Sequence, residues 1–166
     1  MVIDVTGNLC IQYQVREWCK LPYSGHPKGC PNYGISSICP PQVCLVNEFI
    51  DLTKKHYFII EEFNLAEHIK KMSLLHPGWT DKQCRCCLYW QNGVRKRLKQ
   101  KCHLFVNQHP NYIFTLIPEA MGVNVFRTAH RYKLMIRKNP IIVYKVALTG
   151  ERRLKLYEKR RCFGDV

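Results

Sequence analysis

His56-Tyr57-Phe58-Ile59-Ile60-Glu61-Glu62-Phe63-Asn64-Leu65-Ala66-Glu67 is the stretch on which the reading of the fold turns. Its first eight residues are rich in aromatic and β-branched side chains and read as a strand. Asn64 then offers a side-chain oxygen to the amides of a following helix, with Glu67 at the reciprocal capping position. Leu65, Ile69 and Met72 recur at helical spacing and give that helix a buried face.

Beyond it, His76-Pro77-Gly78-Trp79 is a turn. Thr80 and Gln83 form a second capping box, which predicts one long helix running to about residue 102. Cys87, Val94, Leu98 and Cys102 would share one of its faces. Arg95, Lys96, Arg97, Lys99 and Lys101 crowd its C-terminal half, where positive charge suits the helix dipole. Tyr112 to Ile117 reads as a strand. Pro118 fits the first turn of another helix, with Met121, Val125 and Ala129 on its apolar face. After Pro140, the run Ile141 to Leu148 is strongly β-forming, and Thr149-Gly150 ends it. Residues 1–15 suit a short strand or a loose arm. The tail from Glu151 to Arg161 suits a hairpin strand or a short helix.

Strands alternating with helices predict the α/β class, with α+β as the other possibility, in a single compact sandwich. A chain of 166 residues with a hydrophobic share of 46% has enough material for one core. The single domain over residues 1–166 divides into a cysteine- and proline-rich segment at 16–47, an α/β core at 56–150 and a basic tail at 151–166.

The segment at 16–47 holds five of the nine prolines and the cysteines at 19, 30, 39 and 44. No helical or strand period runs through it, so something other than periodicity must order it. The chain has ten cysteines, which form either a disulfide framework or metal sites. The N-terminus lacks the basic and then apolar run of a signal peptide, and no apolar stretch approaches the roughly 20 residues of a membrane span. The expectation is therefore a cytoplasmic protein, where clustered cysteines stay reduced and favour metal.

Thiolates are soft ligands that suit zinc and iron–sulfur clusters. Structural zinc usually takes paired Cys-x2-Cys knuckles. Here the cysteines are single and widely spaced, and Cys30 and Cys39 are each followed by proline, as in cluster-binding loops. An iron–sulfur cluster is favoured, with zinc as the alternative.

Cys19…Cys30-Pro31-Asn32-Tyr33-Gly34…Cys39-Pro40-Pro41 resembles the N-terminal signature of the DUF2284 family of predicted metal-binding proteins. The block Pro118-Glu119-Ala120-Met121-Gly122-Val123-Asn124-Val125-Phe126-Arg127-Thr128-Ala129 is similar to a second signature of that family, in the same order. The resemblance covers about a quarter of the chain. It implies an iron–sulfur or other metal centre held by Cys19, Cys30 and Cys39, and it implies no particular reaction. The family carries further cysteines just before the second block; here Tyr112 to Ile117 has none, which leaves the fourth ligand open.

Cys44 is one candidate, five residues after Cys39. Cys84 and Cys87 are others, at the start of the predicted long helix, where the dipole lowers a thiol's pKa; Cys87 is the choice. Adjacent Cys86 and Cys87 cannot both face the core. Cys102 stands some 22 Å along that helix by its rise of about 1.5 Å per residue and falls outside the site. Cys10, Cys102 and Cys162 read as packing residues. The remaining possibility is no fourth protein ligand, since a four-iron (4Fe-4S) cluster on three cysteines keeps one iron open for chemistry.

His26 is a possible ligand, although a histidine beside proline is more often solvated. Glu119 is a candidate acid or base, with the helix dipole as its plainer explanation. Trp18, Tyr23 and Tyr33 could stack on a base or wall the cluster from water. The net charge of +14 points to nucleic acid, RNA in particular, or to an acidic partner protein. Arg95, Lys96, Arg97, Lys99 and Lys101, together with Arg152 to Arg161, are the candidate nucleic-acid patches, with a solvated face as the bland reading. Two functions follow. One is redox or sulfur-transfer chemistry at a cluster, acting on RNA or beside a partner. The other is a zinc-stabilised basic nucleic-acid-binding module without catalysis.

Overall fold

The computed structural model describes residues 1–22, 26–134 and 140–153. Four strands, β1 (Val2–Asp4), β2 (His56–Asn64), β3 (Tyr112–Thr115) and β4 (Ile142–Glu151), form one sheet in the order β1-β2-β4-β3. Every neighbouring pair is antiparallel. Five α-helices accompany them: α1 (Val46–Phe49), α2 (Leu65–Leu75), α3 (Asp81–Cys84), α4 (Gln91–Gln108) and α5 (Val125–Arg131). The class is the mixed α/β one expected, and the wholly antiparallel sheet puts it on the α+β side of that expectation.

The pairing of β2 with β4 runs from His56 opposite Gly150 to Asn64 opposite Ile142. Side chains alternate between faces along each strand. Phe58, Ile60, Val146 and Leu148 therefore share one face, and there they meet Val43, Cys44, Val46, Met121, Val123 and Val125. Ile59 and Ala147 lie on the other face, under Leu98, Cys102 and Phe105 of α4. The sheet is thus sandwiched between α4 and the end of the cysteine-rich segment.

Asn64 caps α2 as its sequence predicts, its Oδ1 accepting the Glu67 amide at 3.0 Å. Leu65 is buried, while Ile69 and Met72 are half-buried. The capping box of Thr80 and Gln83 also forms.

The single long helix does not. It divides into α3, a 3-10 turn at Cys87–Tyr89, and α4, with Cys86 extended at ψ 121°. The break lies between buried Cys84 and Val94, 1% and 0% exposed, and it lets Trp90 stack on Phe63 at 4.8 Å and donate from Nε1 to the Arg85 carbonyl at 3.3 Å. Val94, Leu98 and Cys102 still share the buried face, whereas Cys87 is exposed.

The predicted helix after Pro118 also divides, into a 3-10 turn at Pro118–Met121 and α5. Gly122 separates them at φ +92°, and a Cβ there would lie 2.5 Å from Tyr13 Cδ1. The break frees backbone for the N-terminal arm. Gln12 N donates to Gly122 O, and Asn124 N donates to Cys10 O, each at 2.8 Å. Asn124 Oδ1 caps α5 by accepting Arg127 N at 2.9 Å.

Tyr23, Cys162 and the basic tail beyond Arg153 lie outside the described residues. Among the described residues, no helix is long and apolar enough to cross a membrane.

Candidate functional site

Cys19, Cys30 and Cys39 lie on three stretches that backbone and side-chain hydrogen bonds tie to one another. Cys19 lies in the 3-10 helix Tyr13–Lys20, anchored by buried Val15. Arg16 of the same turn donates from Nη2 to Pro41 O at 3.2 Å and to Val43 O at 2.9 Å, which ties Cys19 to the chain beyond Cys39. Cys30 N donates to Cys19 O at 2.7 Å. This approach needs glycine at 29: its φ is +83°, and a Cβ would meet the Cys19 carbonyl oxygen at 2.5 Å. The loop carrying Cys39 closes on itself, with Cys39 N donating to Ser36 O at 2.9 Å and Gly34 N to Pro40 O at 2.8 Å.

All three cysteines are half-buried. Burial pushes the Cys19 thiol up, and the next largest influences, acting the same way, are the thiols of Cys30 and Cys39, followed by Glu119 and Glu17. The three sulfurs are therefore electrostatic neighbours, and as bare thiolates they would repel one another.

Glu119 extends the site. It is half-buried in the Pro118–Met121 turn, and burial raises its pKa against the opposing pull of its own amide and of Lys145. That turn is a single 3-10 turn and not the start of α5, so its dipole gives a weaker account of Glu119 than a helix would. Lys145, half-buried in β4, has its pKa lowered by burial and by Arg95, while Glu119 and Cys87 act in the opposite direction. Cys19, Glu119, Lys145 and Cys87 thus form a connected series of ionisable groups.

The fourth-ligand candidates separate clearly. Cys44 is buried in the core beneath the sheet. Cys84 is 1% exposed. Cys86 is half-buried, and exposed Cys87 opens the 3-10 turn near Lys145. Cys102 is fully buried and its thiol is pushed up to about 12, so it packs as expected. Cys10 is half-buried, its amide donating to Thr128 Oγ1 at 3.0 Å. His26 is exposed. Trp18 packs 6.1 Å from the Phe126 ring, and Tyr33 lies under Lys20 Nζ at 5.0 Å.

The cations of α4 do not form one free face. Arg97 Nε and Lys101 Nζ reach opposite oxygens of Glu61 at 2.6 and 2.7 Å. Burial pushes the Glu61 carboxyl up, but hydrogen bonds from Lys101 and Arg97 outweigh it and hold it below the usual value. Arg95, Lys96 and Lys99 remain; Arg95 and Lys96 are exposed and Lys99 is half-buried. Sequence reasoning missed Glu61 and Lys145. The signal for each is a charged residue inside an apolar strand run.

The donor set of Cys19, Cys30 and Cys39 is three soft thiols, which fits an iron–sulfur cluster or zinc. Among the described residues no three histidine, cysteine, aspartate or glutamate side chains converge tightly enough to ligate a single metal ion. No protein-family model, curated protein or solved structure matches the chain.

Proposed function

We propose that Cys19, Cys30 and Cys39 hold an iron–sulfur cluster of the four-iron type and that the protein carries out redox or sulfur-transfer chemistry. The observation that carries this reading is the meeting of three thiols from a segment that has almost no core of its own. Of the described residues between 16 and 42, only Gly29 and Pro40 are buried. A core-poor segment needs a cross-link, and bound metal is one. No disulfide joins the described cysteines. The mutual repulsion of the three thiolates becomes attraction once each shares its charge with a metal. The family resemblance of the Cys19–Pro41 and Pro118–Ala129 blocks supports the same centre.

When bound, such a cluster supplies electron transfer or, with three protein ligands, an open iron position. The chain's own residues set its surroundings. Burial raises the pKa of Glu119, whose charge acts on Cys19. Exposed Cys87 is the candidate for a fourth position. The net charge of +14 favours an RNA or an acidic protein as partner, and reduced thiols favour the cytoplasm. The second reading is the zinc-stabilised basic module, since three thiols suit zinc as well.

The test is anaerobic purification followed by an absorption spectrum and assays for iron, zinc and acid-labile sulfide. The expected protein is brown, with a broad band near ~400 nm and about four iron per chain. Cys19→Ser, Cys30→Ser and Cys39→Ser should each bleach it. A colourless protein with stoichiometric zinc and no sulfide would overturn the proposal.

A further inference from the structure

We propose that the part-exposed rings of Tyr13, Trp18 and Phe126, with Arg127 and Arg131, form a binding surface for single-stranded nucleic acid. The proposal deepens the partner half of the reading above and does not need the metal. Ile11, Tyr13, Trp18 and Phe126 are 37%, 43%, 42% and 50% exposed. They are not scattered. Ile11 pairs with Val123 in an isolated antiparallel bridge, and Gln12 N donates to Gly122 O at 2.8 Å. Tyr13 lies against Gly122, and the Trp18 and Phe126 rings stand 6.1 Å apart. Asn124 Nδ2 donates to Gln12 Oε1 at 2.9 Å and locks the two stretches together. The 3-10 helix Tyr13–Lys20 and the start of α5 thus present one apolar patch. Exposed apolar residues scattered singly need no explanation, whereas a contiguous group marks an interaction site.

The charge around the patch selects the partner. Residues 5–22 and 122–134 carry Arg16, Lys20, Arg127, Arg131 and Lys133 against one carboxylate, Glu17. Lys20 holds that carboxylate. Arg127 and Arg131 are exposed, one turn apart on α5, and form no ion pair among the described residues. Arg131 Nη1 donates to Asn8 O at 2.8 Å, which fixes it beside the N-terminal arm. Each ring has a cation close in sequence: Arg16 after Tyr13, Lys20 after Trp18 and Arg127 after Phe126. Rings take the faces of unpaired bases and cations take the phosphates between them, which is how single strands are held without a sequence code. A duplex keeps its base faces stacked inside and offers these rings little. On α4, by contrast, Arg97 and Lys101 are committed to Glu61.

The test uses the full-length protein as purified, with its metal, and follows the fluorescence anisotropy of labelled oligouridylate and oligothymidylate of about 12 nucleotides. The expected result is saturable binding, at least about tenfold tighter than to an RNA duplex of equal length. Binding of either single strand supports the surface, and the tighter of the two names the sugar it takes. Trp18→Leu and Phe126→Leu keep apolar bulk and lose the ring. Each should weaken binding about fivefold or more and leave the salt slope unchanged. Trp18→Phe should keep most of the affinity. Arg127→Gln and Arg131→Gln should each weaken binding and lower the salt slope by about 0.7, one phosphate contact apiece. Phe126 lies outside the cysteine segment, so its variant carries the test if Trp18→Leu fails to fold. Equal binding by the wild type and both ring variants would mark the general pull of a basic chain and overturn the proposal. So would a loss in Arg95→Gln and Lys96→Gln as large as in the α5 variants, which would put the strand on α4. Polyglutamate competing as well as oligouridylate would mark a dock for an acidic protein and overturn it too. A colourless protein that binds as expected would overturn the cluster and leave this surface standing; a brown protein that does not bind would do the reverse.

Discussion

In β2 every residue from Phe58 to Glu61 is buried, whereas among the described residues between 16 and 42 only Gly29 and Pro40 are. The first region is held by apolar area removed from water, and its register is fixed because a one-residue slip would turn every side chain to the wrong face. The second is held by backbone contacts: Cys30 N to Cys19 O, Gly34 N to Pro40 O, and the Arg16 fork on Pro41 and Val43. Each such bond contributes only about 0.5–1.5 kcal/mol net, because water competes for the same groups. A sheet of this kind folds on its own side chains. A segment of this kind has little core of its own, and in the proposed reading a metal centre at its cysteines holds its shape.

The largest expected effect lies in the sheet. Phe58 is fully buried between the layers, and Phe58→Ala should cost about 3–5 kcal/mol through lost transfer energy and the cavity left behind. Urea unfolding followed by far-ultraviolet circular dichroism checks this. Iron content per folded molecule should be unchanged, which separates the two regions from the side of the core.

Next comes Gly29→Ala. It places a Cβ against the Cys19 carbonyl oxygen at 2.5 Å in a left-handed backbone conformation, a local cost of at least about 1–2 kcal/mol. Metal retention should fall sharply, while the urea midpoint of the sheet moves less than in Phe58→Ala. An equal loss of metal and sheet stability would mean that the regions are not independent.

Glu61→Gln should cost about 1–2 kcal/mol at neutral pH, a discounted value because Arg97 and Lys101 are half exposed. The folded Glu61 carboxyl is held below its ordinary value by Lys101 and Arg97, against the opposing effect of burial. Its contribution is therefore present in full above that value and lost as pH falls through the folded pKa. The gap between wild type and Glu61→Gln should narrow as pH drops below about 4.5, as read from urea midpoints at each pH.

The smallest effect is chemical. Cys102 is fully buried with its thiol pushed up to about 12, so it should stay unmodified by iodoacetamide at pH 8 in the native protein. In the metal-stripped protein exposed Cys87 should label readily, and peptide mapping distinguishes the two.

Much of the sheet side was legible from sequence. The strand at 56–63, the Asn64 cap, the Thr80–Gln83 box and the β-run after Pro140 all follow from local chemistry, and all form. The breaks at Cys86 and Gly122 were not, because both answer to distant partners. Trp90 stacks on Phe63, and Gly122 makes room for Tyr13 from the N-terminal arm. Cys30 and Cys39 stand out in the sequence as proline-backed cysteines, and the fold ties Cys19 to Cys30 through the Cys30 N to Cys19 O bond. Glu61 and Lys145 were not legible, since strand periodicity does not say which charged residue turns inward. The cationic half of α4 misled for a related reason: only the fold shows that Arg97 and Lys101 are committed to Glu61.

The most direct test of the account is amide hydrogen exchange on the anaerobically purified protein before and after its metal is stripped by a chelator under reducing conditions. The account predicts that peptides covering residues 26–43 lose protection on stripping, while those covering β2 and β4 keep theirs. Unchanged exchange at 26–43, or a loss of protection spread evenly over segment and sheet, would contradict the claim that a metal centre orders the cysteine segment on a sheet that stands without it.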